Sequence, residues 1–270
     1  MGPRERFAAA VNRPAAELQL DVAALCIAAH AHPGLDVDEW MSRLDDLAAG
    51  CPEPTFEALR VHLFGPGGFA GNLDHYDDPE NSFLDSVIVR RVGIPISLSA
   101  LMIVLGRRLG VPVEGVGMPG HFLVLDAARG DVWCDPFHRG ALLDRDGCRR
   151  RFDLVYGGSL AFQLGYLAPT PPHAIVARML ANLERGRLAT DPVQRAWMCT
   201  LHLAIPGITF REQLELADQL SATGDVMRAA TEFEMLASRV ESGGPDTSDA
   251  GEDAAAKLRL RARSLRARLN

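Results

Sequence analysis

The chain has 270 residues, 47% of them hydrophobic and 23% charged, the balance of an ordinary soluble globular protein with core enough for one large domain or two modest ones. Its formal net charge of −7 argues against general affinity for nucleic acid, though not against a local basic face. No apolar run, Leu98 to Leu105 included, is long enough to cross a bilayer, and five scattered cysteines without a CxxC pair suit reduced thiols in a cytoplasm and carry no zinc signature.

Met1 to Phe7 is charged and no cleavable apolar core follows, so no signal peptide is expected. Asp21 to Ala31 is apolar at helical spacing and stops at His32-Pro33-Gly34. Asp36-x-x-Glu39 reads as a capping box for a second helix ending at Gly50, and Thr55 caps a third over Phe56 to Phe64. Asp21, Asp36, Asp38 and Glu39 sit at helix starts, where acids are caps rather than metal ligands. Gly65 to Asn72 is glycine-rich but has neither GxGxxG nor GK[ST], so it reads as a tight loop near the core and not as a phosphate cradle. Ser82-x-x-Asp85 is expected to box the next helix, which buries Phe83, Leu84, Val87 and Ile88 and ends at Gly93.

The stretch from Pro95 to Asp135 carries the chemistry. Pro95 fits the first turn of a helix that is almost wholly apolar from Ile96 to Leu109, with Ser97 and Ser99 its early polar side chains, and Gly110 and Pro112 end it. Strand patterns follow at Val111 to Val113, His121 to Asp126 and Val132 to Asp135. If the second hairpin turns on Ala128, facing residues sum to 256 and His121 faces Asp135, with Cβ atoms about 5 Å apart. A helix start bearing Ser97, a strand-borne His121 and a neighbouring Asp135 form the layout of a nucleophile, base and orienter. The same residues also read as a partly buried histidine with an acid partner, and the residues alone leave both readings open. His121, Asp135 and His138 could supply one carboxylate and two imidazoles to a metal, but no further ligand pair stands at helical spacing, so no metal is expected. Cys134 should point away from Asp135, since strand neighbours alternate faces.

The pattern NSFL…RRVGIPISLS…RRLGVP…GVGMPGHFL…DPF, over about residues 60–145, resembles the SirB-type subfamily of transglutaminase-like proteins. The resemblance implies a papain-type core, one central helix against an antiparallel sheet, with helices like degenerate tetratricopeptide repeats after it. In active relatives a Cys opens the central helix, a His leads the next strand, and an Asp precedes a Pro on the strand after that. His121 and Asp135-Pro136 match the last two; counting back from Gly110 puts the cysteine position near Pro95, and no cysteine occurs from Pro52 to Trp133.

Tyr166 to His173 is a proline-rich linker, and the sequence beyond it is helical in pattern. Ala196 and Ala229 recur 33 residues apart, the latter after Gly224-Asp225, close to a tetratricopeptide period. Glu241 to Asp253 reads as a flexible acidic loop, and Ala254 to Asn270 as a basic capping helix with Leu258, Leu265 and Leu269 on one stripe. The expectation is an α+β protein. Residues 1–165 form a helical lead-in and transglutaminase-like core, and 174–270 an all-helical tetratricopeptide-like region. Its function is expected to be non-catalytic interaction with a protein or peptide, in the cytoplasm, without cofactor, metal, nucleic acid or membrane span. The alternative is a hydrolase or acyl transferase using Ser97, His121 and Asp135.

Overall fold

The computed structural model describes residues 1–244, 246–247, 251 and 253–268. Its contacts divide the chain into two compact units, Met1–Asn182 and Leu183–Asn270. The first unit opens with α1 (Pro3–Val11), α2 (Leu20–Ala31), α3 (Val37–Ala49) and α4 (Phe56–Phe64). α2 is buried along nearly its whole length because it is apolar on every face. The Asp36 side chain caps α3 by accepting the N–H groups of Asp38 and Glu39, and Thr55 caps α4 by accepting that of Ala58.

Two short strands, β1 (Ala70–Gly71) and β2 (Val92–Gly93), pair in parallel on either side of α5 (Leu84–Arg90). The Ser82–Asp85 capping box does not form. Residues 79–82 make a separate 3-10 turn, Phe83 takes the N-cap without a side-chain bond, and the Asp85 carboxylate pairs with His32 instead. Nor does Gly93 end the helix: Arg91 does so in the left-handed conformation, at φ 57°.

α6 (Pro95–Leu109) is the central helix, with Pro95 in its first turn and Gly110, at φ 68°, at its end. It lies against an antiparallel sheet of four strands in sequential order, β3 (Val113–Val116), β4 (Leu123–Asp126), β5 (Trp133–Asp135) and β6 (Ala141–Leu143). Gly106 permits the approach, since a Cβ there would come within 2.3 Å of Val113 Cγ2. Leu123, Leu125 and Trp133 pack with Cys148 and Phe152 of α7 (Arg145–Tyr156). The β4–β5 register pairs Val124 with Cys134 and Leu125 with Trp133, so facing residues sum to 258 rather than 256. Asp126 accepts the N–H of Gly130 and bonds Val132, which centres the turn on Arg129. A slip of two residues preserves the side-chain face, so the parity inferred from sequence survives although the pairing partner changes.

α8 (Pro172–Arg185) runs through the division between the units. In the second unit α9 (Pro192–Leu203), α10 (Phe210–Thr223), α11 (Val226–Glu241) and α12 (Ala254–Ala267) surround one core that includes Leu220, Phe233, Leu236 and Leu258. Gly224 closes α10 at φ 92°, Asp225 caps α11, and Ala229 is fully buried with Ala196 packed on the same core. Leu258 and Leu265 of the basic helix are buried; Leu269 and part of the Glu241–Asp253 segment lie outside the described residues. Among the described residues no helix is long and apolar enough to cross a membrane.

Candidate functional site

Asp135 closes β5, and its side chain caps the 3-10 turn Pro136–His138 by accepting the His138 N–H. The carboxylate is wholly buried, yet both oxygens are engaged. Oδ1 lies 2.9 Å from His121 Nε2, and Oδ2 lies 2.8 Å from His138 Nδ1 and 3.0 Å from Arg151 Nε of α7. The Arg151 contact is an ion pair and not an aligned hydrogen bond, because its Nε–H does not point along the line to the oxygen. Burial by itself would raise the Asp135 carboxyl, but the His121 hydrogen bond and the charges of His121, His138 and Arg151 outweigh it and hold the group below its ordinary value. His138 is pushed down by burial and by Arg151, against the pull of Asp135.

The partners determine the tautomers. His138 donates Nδ1–H to Asp135, which leaves Nε2 to accept from Arg151 Nη1 at 3.2 Å. His121 Nε2 faces the Asp135 carboxylate, and its Nδ1 is directed away from it. Nδ1 bonds no described residue and is not sealed from solvent.

Residues just before β4 aim that ring. Gly120 turns the chain at φ 73°, and a Cβ there would lie 2.6 Å from Val155 Cγ1. The His121 N–H donates to the Met118 carbonyl, and Arg178 of α8 donates to the carbonyls of Met118 at 3.1 Å and of His121 at 2.7 Å. Phe137 stands edge-on to His121, with ring centres 6.3 Å apart, and Tyr76 stands edge-on to Phe137 at 5.7 Å. Beneath Phe137 lies Gly71, where a Cβ would meet the ring at 2.4 Å. Since β1 pairs with β2, and β2 runs directly into Ile94 and Pro95, these contacts bring the His–Asp pair to the start of α6.

The Ser97 side chain is engaged at the start of α6. Its hydroxyl is fully buried, donates to the Asn81 carbonyl at 2.6 Å and accepts the Ile94 N–H at 3.1 Å, closing the N-terminus of α6. It makes no hydrogen bond with His121. Cys134 is buried on the opposite strand face from Asp135, where burial pushes its thiol up, and burial pushes Cys148 up to about 12.

The ligand atoms of His121, Asp135 and His138 lie within 4.8 Å of one another, close enough for a cation by count. Arg151, however, already supplies positive charge to Asp135 and occupies His138 Nε2.

Sequence reasoning passed over Arg151, Arg178 and Tyr76. Arg151 is indistinguishable from Arg149 and Arg150 in the run Arg149-Arg150-Arg151, and only the placement of α7 selects it. Asn81 stood in the NSFL motif without a role; its buried amide donates to the carbonyls of His75 at 2.7 Å and Tyr76 at 3.2 Å, and its Oδ1 accepts from Asn72.

Residues 17–181 match the model of the transglutaminase-like superfamily. The chain is 37% identical over 195 residues to a UPF0162 protein of Xylella fastidiosa strain Temecula1, an alignment covering 67% of this chain and 69% of that one. It is 30% identical over 147 residues to a UPF0162 protein of Vibrio cholerae, covering 54% of each. Human F-box only protein 21 is 37% identical over 100 residues, which is 37% of this chain and 14% of the human one. No solved structure matches. With a family match over more than half its length and a His–Asp pair set at the head of a buried central helix, the chain belongs to the transglutaminase-like superfamily.

Proposed function

We propose that this protein is a non-catalytic, SirB-type member of the superfamily that works through protein or peptide partners in the cytoplasm. The observation that carries the reading is the commitment of Ser97: its hydroxyl proton goes to the Asn81 carbonyl and its oxygen caps α6, while His121 has an oriented base nitrogen and no hydroxyl or thiol bonded to it among the described residues. A hydroxyl without a base in reach is a weak nucleophile, and thiols raised by burial are protonated at neutral pH. The matched segment is 14% of F-box only protein 21, which supports its use as one module of a longer chain. The second part of the reading assigns 1–165 to the core and 174–270 to a degenerate tetratricopeptide pair, supported by the burial of Ala229 and by Ala196 on the same core. The five cysteines are all free, which suits a reducing compartment.

The test is a serine-directed fluorophosphonate probe together with a chromogenic acyl ester, applied to wild type, Ser97→Ala and His121→Ala. No labelling and no turnover are expected in any of them. Labelling of Ser97 that disappears in folded His121→Ala would overturn the reading and establish a Ser-His-Asp enzyme.

A further inference from the structure

β3 is an outermost strand of the four-stranded sheet, and its outer edge forms one wall of a cleft of about 360 Å³. Strand parity decides which backbone groups look into that cleft. The Pro112 carbonyl accepts the Ala127 N–H and so bonds toward β4, whereas the Gly115 carbonyl accepts the Thr170 N–H at 2.7 Å on the other side. Val113 belongs with Gly115, because Asp126 opposite it gives its N–H to Val132 on the β5 side. The Val113 N–H and carbonyl therefore point out of the sheet. Neither makes a hydrogen bond with a described residue, although Val113 is half-buried. The chain's own linker adds to this edge at Thr170 and stops there, since Pro171 and Pro172 have no N–H with which to continue the pairing.

We propose that an extended peptide of a partner protein adds antiparallel to the β3 edge at Val113, with aliphatic and acidic side chains on the face it turns to α6, an assignment that rests on the interaction reading above. Main-chain bonds to Val113 hold such a strand, and its alternate side chains enter the cleft. The other walls decide which side chains those are. Leu18, Val104, Val111 and Ile175 are buried at the base of the cleft, which suits β-branched aliphatic groups. Arg107 stands exposed on the lining. It donates to the carbonyls of Leu18 and, at 3.1 Å, Ala16, and its remaining N–H groups meet no described residue, which leaves them for a carboxylate. The acids nearby do not oppose this. Asp21 is neutralised by Arg108 at 2.8 Å, and Glu114 points to the sheet face opposite Val113, whose side chain packs at Gly106 of α6. A second copy of the chain fits less well, because edge-to-edge pairing of two β3 strands needs the Gly115 carbonyl that Thr170 already occupies.

The experiment titrates the 15N-labelled full chain with acetyl-Ser-Val-Thr-Val-Thr-Glu-Ser-amide, whose valines and glutamate share one strand face. It should bind at about 1 mM or tighter. Amide shift changes should concentrate over residues 103–115, and hydrogen exchange at the Val113 N–H should slow. N-methylation of the second valine removes a donor aimed at β3 and should weaken binding about tenfold, whereas N-methylation of the threonine before it blocks an N–H that points away and should change little. Glutamine in place of glutamate should cost about threefold. Ile103→Asp puts a charge on the cleft lining and should weaken binding at least about tenfold in a protein of unchanged Tm. Equal binding of the two N-methylated peptides, shift changes elsewhere, or no binding at 5 mM peptide, about five times the expected dissociation constant, would each overturn the proposal. So would a concentration-dependent dimer of the free chain that slows exchange at Val113, since the occupant would then be a second copy. Such failure without probe labelling of Ser97 leaves the non-catalytic reading standing. Labelling of Ser97 would remove that reading while strand addition is judged on its own titration.

Discussion

Replacing Asp135 by Asn is the sharpest test of how the His–Asp pair is held. The change keeps the size of the side chain but removes its charge, leaving His121, His138 and Arg151 gathered on a neutral amide in a fully buried position. Breaking a buried charged cluster by removing one member costs about 3–5 kcal/mol, because the groups left behind cannot recover their water. The lower end, about 3 kcal/mol, is expected because Arg151 remains 22% exposed and His138 36% exposed, so both can turn partly to solvent. In a unit of this length that corresponds to a fall in Tm of about 6–12 °C, read by scanning calorimetry of the full chain at pH 7.

The pH dependence checks the cause. Asp135 titrates below its ordinary value in the folded protein, so its contribution is complete above the unfolded carboxylate pKa and disappears as pH falls through the folded one. The gap between wild type and Asp135→Asn should therefore close below about pH 4. Arg151→Met should cost less than Asp135→Asn, since two imidazole N–H groups still reach the carboxylate. An Asp135→Asn protein as stable as wild type, or more stable, would refute the reasoning. It would mean that the cluster is strained and kept for activity, not for structure.

Two further substitutions probe the surroundings. His32 bonds Asp85 at 2.7 Å and Glu80 at 3.3 Å; burial opposes its protonation, but those carboxylates prevail and raise its pKa. Its contribution is therefore full below the unfolded pKa of about 6.5 and is lost as pH rises through the folded one, so His32→Gln should cost about 1–2 kcal/mol in denaturant unfolding at pH 5.5 and much less at pH 9. A gap that widens with pH would reverse the assignment. Gly71→Ala should cost about 1–3 kcal/mol and displace Phe137, since the new Cβ meets that ring. The readout is the His121 ring proton shift, and an unmoved His121 with unchanged Tm would show that Phe137 does not position it.

Much of the fold was legible because local chemistry decides it. Pro95 and Gly110 bracket α6, Thr55 and Asp36 cap their helices, and the apolar run from Ile96 demands burial wherever the helix ends up. The His121–Asp135 proximity was legible for a less exact reason: side-chain parity along strands has period two, so a turn misplaced by one residue moved the register by two and left both side chains on one face.

The parts that sequence could not decide all depend on which element packs against which. Ser82 and Asp85 have the right spacing for a capping box, but the carboxylate gains more by pairing with His32, a residue 53 positions away. Ser97 has the right location for a nucleophile, and only the approach of the Asn81 carbonyl turns its hydroxyl into a helix cap. Arg151 and Arg178 reach the His–Asp pair from α7 and α8, helices whose placement no local spacing specifies. Hydrogen bonds over a few residues follow from chain geometry; those made across the core follow from how the apolar faces choose to bury one another, and on that choice the site's chemistry depends.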